Sequence, residues 1–352
     1  MSQPPFLQKG LTVRGDSVYC PLAFSLDSYA NCLTDCHHCY LRHLNHTWGT
    51  DLRPLDVEKF RRDLINGLKN KNPITPVANC ISKKKTIRWG NKSDPFQHAE
   101  LEHKIAPQVF HTLIRMDWSF VIQTMHTDNM MRYSDYIYQA NSLVTVMPII
   151  SPGGEKDREV LERGRTNAVA ERIGHLKTLI GKGINCGVNG EPFIPGYHTV
   201  EEFEDMIKWL KSAGVKSYNT YNLHLNPFVA KRLHAIGLDI EKIWRMNKDE
   251  NWKPILSKLL DISRKHDFIL GCPDFVNTGK DWVESANTCC GVSVPNPCTY
   301  NTHFWKLRIQ NGENPERVLL ETWDGSGDKK QGEDIVKGKK SNFYTLRDAG
   351  VL

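Results

Sequence analysis

Cys32-Leu33-Thr34-Asp35-Cys36-His37-His38-Cys39 sets three thiols at C-x3-C-x2-C spacing. Thiols this close cannot all pair as disulfides without strain, but they can wrap one soft metal centre. An iron–sulfur cluster ordinarily takes four protein thiolates, so a cluster held by three leaves one iron open to a reacting molecule. The same segment also carries the makings of a structural zinc knuckle, with His37, His38, His43 or His46 as further ligands.

The rest of the chain sets bounds on that reading. At 352 residues it can bury a large core in one or two domains. Its 39% hydrophobic and 24% charged content are those of a soluble globular protein. No apolar run approaches the ~20 residues of a membrane span, and Met1-Ser2-Gln3-Pro4-Pro5 lacks a signal-peptide pattern. The expectation is a cytoplasmic protein with no membrane partner. In that reducing compartment ten cysteines point to metal binding or catalysis rather than a disulfide framework. A net charge of +6 permits a polyanionic partner. The basic groupings are Lys83-Lys84-Lys85 with Arg88, Arg61-Arg62, and Lys337, Lys339 and Lys340. They read either as a nucleic-acid track or as solvated surface charge.

Working outward from the cysteines, apolar runs and caps alternate. Ser17 to Leu26 reads as a strand running into the cysteine loop. A helix capped by Asp56 reaches about Leu68, with Val57, Phe60, Leu64 and Leu68 on one face. A strand at Thr86–Gly90, a helix at Leu101–Met116 and strands at Ser119–Thr124 and Ser142–Ile150 follow. A long helix ending near Gly181 or Gly183 then leads to a strand at Ile184–Val188. Thr199-Val200-Glu201-Glu202 is a capping box opening another helix, and Val215–Tyr221 closes the series as a sixth strand. Six alternations predict an α/β protein built from parallel βαβ units, a partial (β/α)6 TIM-type barrel over residues 1–240. Catalytic loops of such sheets lie at the C-terminal strand ends, where the cysteine loop falls. Residues 241–352 read as an irregular Cys-containing C-terminal extension, with a helix at Pro254–His266, a short strand at Phe268-Ile269-Leu270 and a loop at Asp324–Asp328.

The cysteine spacing, followed by Tyr40-Leu41, resembles the signature of the radical S-adenosylmethionine (SAM) enzymes. That resemblance implies a [4Fe–4S] cluster on Cys32, Cys36 and Cys39, with SAM chelating the fourth iron through its amino and carboxylate groups. An electron from the cluster would split SAM into methionine and a 5′-deoxyadenosyl radical, which takes a hydrogen atom from substrate. Further segments are similar to the spore photoproduct lyase branch: Trp89-Gly90-Asn91-Lys92-Ser93-Asp94-Pro95 with Glu100 beyond, Val144–Ile150 followed by Glu162 and Arg172, and Gly187 to Gly196. They imply Ser93, Asp94, Asn189 and Glu191 as SAM-site residues. The third strand departs from the pattern: relatives often end it in a Thr-Lys-Ser-like turn, and here it reads Gln123-Thr124-Met125-His126. His126 is then either the replacement contact or a hydrogen-bonded strand-end histidine. Cys20, Cys80 and Cys186 read as buried apolar thiols, and no hydrogen-atom donor is assigned.

Cys272, Cys289, Cys290 and Cys298 fall within 27 residues rich in Gly, Pro and Asn. They read as a second [4Fe–4S] cluster on Cys272, Cys290 (or Cys289) and Cys298, on the substrate side, with a structural zinc or no metal as the other readings. The expected function is a radical SAM enzyme taking hydrogen from a nucleobase, a modified thymine in DNA, in an isomerisation, hypermodification or lyase-type repair. Its partners would be DNA or a nucleotide and an external electron donor. One alternative is a radical SAM peptide-modifying enzyme with an auxiliary cluster. That reading expects a peptide-binding domain ahead of the cysteines, where 31 residues stand. The other alternative is a zinc-stabilised nucleic-acid-binding protein.

Overall fold

Parallel strands dominate the computed structural model, which describes residues 6–13, 22–41, 51–73, 75–272 and 290–298. Cys20, His43, His46, Cys289, residues 17–21, the loop at 324–328 and most of the expected extension lie outside the described residues. The strands are β1 (Leu11–Val13), β2 (Phe24–Leu26), β3 (Tyr29–Ala30), β4 (Arg53–Pro54), β5 (Ile87–Trp89), β6 (Phe120–Thr124), β7 (Val144–Pro148), β8 (Asn185–Cys186), β9 (Val188–Asn189), β10 (Ser217–Asn219) and β11 (Ile269–Gly271). The main sheet runs β1-β2-β5-β6-β7-β8, parallel except where β1 meets β2. A second parallel sheet runs β11-β10-β9, and β3 pairs with β4.

The expected fifth strand is the hinge between the two sheets. β8 pairs with β7 and β9 with β10, while Ile149 bridges to Asn189 alongside. Gly187 separates the two halves, and a Cβ there would stand 2.5 Å from Val292 Cγ1 and 2.6 Å from Ser217 Oγ. No other residue fits that close approach. The alternation also continues past residue 240. Helices at Ile240–Met246 and Asp249–Lys265 lead into β11, so the α/β part reaches residue 272.

Strand residues sort by face, because register partners in a parallel ladder share a side. Ile87, Trp89 and Phe120 point to the helix layer, where Trp89 meets Phe110 at 5.0 Å and Phe96 at 5.4 Å between ring centroids. Ser25, Arg88, Val121, Thr145 and Asn185 form one register row on the opposite face. Trp89 also donates from Nε1 to Ser28 Oγ at 2.7 Å, so its single polar atom is satisfied in the core.

Local signals mostly hold. Asp56 caps the helix Val57–Lys69 through Lys59 N–H, and Thr199 with Glu202 forms the expected box on Val200–Ser212. On the first helix Gly67 is buried rather than Leu68, which is 40% exposed. The predicted helix at Leu101–Met116 is broken. Lys104 takes a left-handed φ of 50°, giving Glu100–His103 and Ile105–Arg115. Glu100 caps the second piece through Ile105 and Ala106 N–H and accepts from Tyr29 and Tyr133, a wholly structural role.

Residues 290–298 close the N-terminal ends of the strands. Thr86 N–H donates to Asn296 O, Lys85 Nζ to Asn296 Oδ1 and Pro297 O, Ser119 Oγ to Pro295 O, and Asn185 Nδ2 to Ser293 O. Each of these partners precedes or opens a strand. Two of the four basic residues at 83–88 are therefore withdrawn from the surface, while Lys83 stays exposed. Lys85 is 5% exposed at this end, and Arg88 is buried on the inner register row.

Candidate functional site

The opposite, C-terminal strand ends frame an open cleft. Cys32, Cys36 and Cys39 line it together with Ser93, Asp94, Asn189 and Glu191, so seven of the eight sequence-assigned residues of the cysteine and SAM sites share one wall set. His126 is the eighth and stands one layer back. Its Nε2 lies 2.8 Å from Thr34 Oγ1 inside the cysteine loop, and burial pushes its pKa down. It positions the loop rather than facing the cleft.

The loop is gripped along its length. Buried Gln97 accepts from Leu33 N–H at 2.7 Å and donates to Asn31 O at 3.1 Å. His37 N–H reaches Leu161 O at 2.8 Å. Asp35, at a left-handed φ of 58°, is held by Arg163 and by Arg232 at 2.7 Å. These contacts pin a segment with no secondary structure of its own.

The next strand end is built on carboxylates. Asp27, fully buried after β2, accepts from the N–H groups of Asn91, Lys92 and Ser93 at 3.1, 2.6 and 3.1 Å. Gly90 makes the turn at φ 99°, where a Cβ would lie 2.4 Å from Gln123 O. Asp94 accepts from Thr124 Oγ1, Met125 N–H and Phe96 N–H, so it ties the β5 loop to the end of β6 as well as facing the cleft. Across the cleft Asn189 Oδ1 accepts from Glu191 N–H, and Glu191 Oε1 accepts from Asn219 Nδ2 at 3.0 Å. Glu162 and Arg172 form a fully buried ion pair, and Arg172 Nη1 also donates to Ile149 O at 2.7 Å, fixing the end of β7.

Burial pushes the Cys32 thiol up to about 11, with the Asp94 charge adding to it. Cys36 is driven well above its ordinary value by burial and then by Glu162. Such thiols ionise only beside a strong positive charge, which a bound metal centre supplies. Three cleft atoms also lack protein partners: Ser93 Oγ, Gln123 Nε2 and His38 Nδ1. The donor set and the open Ser93 and His38 atoms fit a thiolate-held cluster with a polar cofactor beside it. Tyr40, Tyr221 and His224 also line the cleft and pack with tilted rings, centroids 4.8 Å apart at 45° for Tyr40–His224 and 5.3 Å apart at 51° for Tyr221–His224.

The C-terminal cysteines are not gathered in the same way. Cys272 is buried in the apolar cluster of Tyr218, Trp252 and Leu270, whereas Cys290 and Cys298 belong to the other cluster with Val292 and Val294. Cys290 and Cys298 lie on the segment that closes the N-terminal strand ends, away from the cleft. None of Cys272, Cys290 and Cys298 lines the cleft, and Cys289 lies outside the described residues. Gly291, next to Cys290, packs against Ile269, Ser217 and Gly271, so this segment lies against the start of β10 and along β11. Cys80 is buried as expected, and Cys186 is half-buried with its thiol pushed up to about 12 by burial.

Comparison with known proteins follows from this geometry. A structure of a cysteine-to-alanine mutant of spore photoproduct lyase with dinucleoside spore photoproduct superposes with a TM-score of 0.55 at 10% identity, over 74% of this chain and 78% of that one. A second structure of that mutant gives 0.54 at 12% identity, over the same shares. The chain has the spore photoproduct lyase fold. Uncharacterized proteins of Mycobacterium bovis and Mycobacterium tuberculosis are each 22% identical over 212 residues, 58% of this chain and 60% of theirs. The chain thus spans about 60% of the length of these curated relatives. No family model matches the sequence. Among the described residues no helix is long and apolar enough to cross a membrane.

Residues that the sequence reading passed over complete the site. Asp27, Gln97, Tyr221 and His224 carry no motif, and Gln123 reads only as part of the third strand's end. Arg88, read with Lys83–Lys85 as a basic grouping, is turned onto the inner face by strand register.

Proposed function

We propose that this protein is a radical SAM enzyme acting on a nucleobase, with a modified thymine in DNA as the substrate class. The observation that carries the reading is the convergence of Cys32, Cys36 and Cys39 on one cleft with the strand-end residues Ser93, Asp94, Asn189 and Glu191. The two linked sheets are read as a partial barrel whose closed end is residues 290–298. When bound, a [4Fe–4S] cluster and SAM would supply an electron and a 5′-deoxyadenosyl radical that removes hydrogen from a substrate C–H bond.

The chain's own residues do the rest. The three cysteines would hold the cluster in a loop pinned by Gln97, Leu161 and, through Asp35, Arg163 and Arg232. Ser93 Oγ and the loop clamped by Asp27 offer polar contacts for the SAM amino acid moiety, and Asn189 and Glu191 offer acceptors on the facing strand end. The Tyr40–His224–Tyr221 edge supplies flat faces for a planar base. The fold likeness to spore photoproduct lyase, whose structure holds a dinucleoside photoproduct, supports a nucleobase over a peptide. An isomerase or lyase outcome depends on the fate of the substrate radical.

Anaerobic reconstitution with iron and sulfide tests the class. The expected result is about four irons per chain and a reducible cluster whose electron paramagnetic resonance signal shifts on adding SAM. Tightly held zinc with no reducible cluster would overturn it. With thymine-modified DNA and dithionite, deuterium should pass from substrate into 5′-deoxyadenosine; transfer only from a peptide would refute the nucleobase assignment.

A further inference from the structure

Arg88 is the buried cation that the proposed chemistry leaves unused. It is the middle residue of β5 and 8% exposed, and among the described residues it has no carboxylate partner. Its Nε donates to Gln123 Oε1 at 2.6 Å, and both residues line the cleft. Gln123 is 1% exposed, and its Nε2 has no hydrogen-bond partner. A guanidinium withdrawn from water without an anion is costly, and so is an unmet amide donor. The two side chains are locked to each other with donors only left over: the Arg88 terminal N–H groups and the Gln123 amide. Planar donors in a fixed fork match a carboxylate in two-point contact.

The surrounding charges narrow the choice of anion. Asp94 and Glu191 line the same cleft, so a dianionic phosphate would meet repulsion that a singly charged carboxylate meets less. Arg88 is set one residue below the strand end, beneath the Gly90–Asp94 turn, so the group that reaches it extends toward the floor of the cleft. We infer that the cleft takes a substrate bearing a carboxylate, and that Arg88 with Gln123 is the subsite that binds it. This deepens the nucleobase reading above and rests on it for the rest of the substrate.

Titration calorimetry on the reconstituted full chain tests the subsite with small probes. Uracil-5-acetic acid is compared with its neutral amide, and thymidine 5′-monophosphate with thymidine. The expected result is about tenfold tighter binding of the acid than of the amide, the scale of a charge-assisted hydrogen-bond pair, with no comparable gain from the phosphate. Arg88→Met should erase the acid's advantage and leave SAM affinity unchanged. Gln123→Glu gives Arg88 an internal carboxylate, which favours folding, and should likewise abolish the preference. Equal binding of acid and amide by the wild type, or an undiminished preference in folded Gln123→Glu, would overturn the subsite. A loss of SAM affinity in Arg88→Met with the acid preference intact assigns the guanidinium to the cofactor's carboxylate instead and equally overturns it. A gain from the phosphate alone also refutes the carboxylate. Iron content and SAM cleavage, measured on the same samples, report separately on the radical SAM reading: normal values with no acid preference sink the subsite alone.

Discussion

The two ends of the same parallel strands carry cysteines of opposite character. At the C-terminal ends Cys32, Cys36 and Cys39 line an open cleft, on a loop held by side chains from four other segments. At the N-terminal ends Cys290 and Cys298 are 5% and 1% exposed in an apolar cluster, on a segment held by backbone and amide hydrogen bonds. The first set lines a cleft and the second is buried in the core. Cysteine count and spacing alone do not separate the two; position on the strands does, because only the C-terminal ends leave loops free to meet.

The sharpest way to break this comparison is to remove one thiol from each end. Cys32→Ala should lose essentially all cluster iron and SAM cleavage after reconstitution. Cys290→Ala should retain full iron content and cost about 1 kcal/mol of unfolding free energy. Iron lost from both would restore a metal role to the closed end.

Next in size is Asp27→Ala, which strands three N–H donors of the cleft's second strand end. We expect a loss of about 3 kcal/mol in denaturant unfolding together with weaker SAM binding. Unaltered SAM affinity would show that this turn is not part of the cofactor wall. At the other end Asn296→Ala removes bonds to Lys83 O, Lys84 O and Lys85 Nζ. It should cost about 2 kcal/mol with iron and SAM binding intact. The contrast between these two variants measures how independent the ends are.

The smallest effect lies away from both ends. Glu204 is lowered to about 2 by hydrogen bonds from Lys265 and then His266. A depressed carboxyl stabilises the fold above its unfolded pKa, and that contribution fades as pH falls from 4.5 toward 2. Wild type and Glu204→Gln should therefore differ slightly in melting temperature at neutral pH and converge in acid, with the difference shrinking in salt. A constant offset down to the lowest pH would remove the charge explanation.

Much of this was readable along the chain. Asp56 and the Thr199–Glu202 box announced their helices because capping is a contact over three residues. The apolar runs at Phe120–Thr124 and Val144–Pro148 announced buried parallel strands. The break at Lys104 was not readable, since Glu100 turns back to cap Ile105 only once Tyr29 and Tyr133 surround it. Nor was the hinge at Gly187, which exists because Val292 from a distant segment crowds it. Arg88 shows the same limit: grouped with Lys83–Lys85 it reads as surface charge, and only strand register turns it inward.

The sequence by itself determined the cysteine loop, the alternation of strands and helices and the strand-end segments, because each depends on neighbours a few residues apart. Tertiary structure alone decided which cysteines share a cleft, where Arg88 points and which end of the strands is closed. Those are contacts between segments up to about two hundred residues apart, such as Lys85 with Asn296. They follow from how the strands pair and which faces they bury, and no local spacing encodes that.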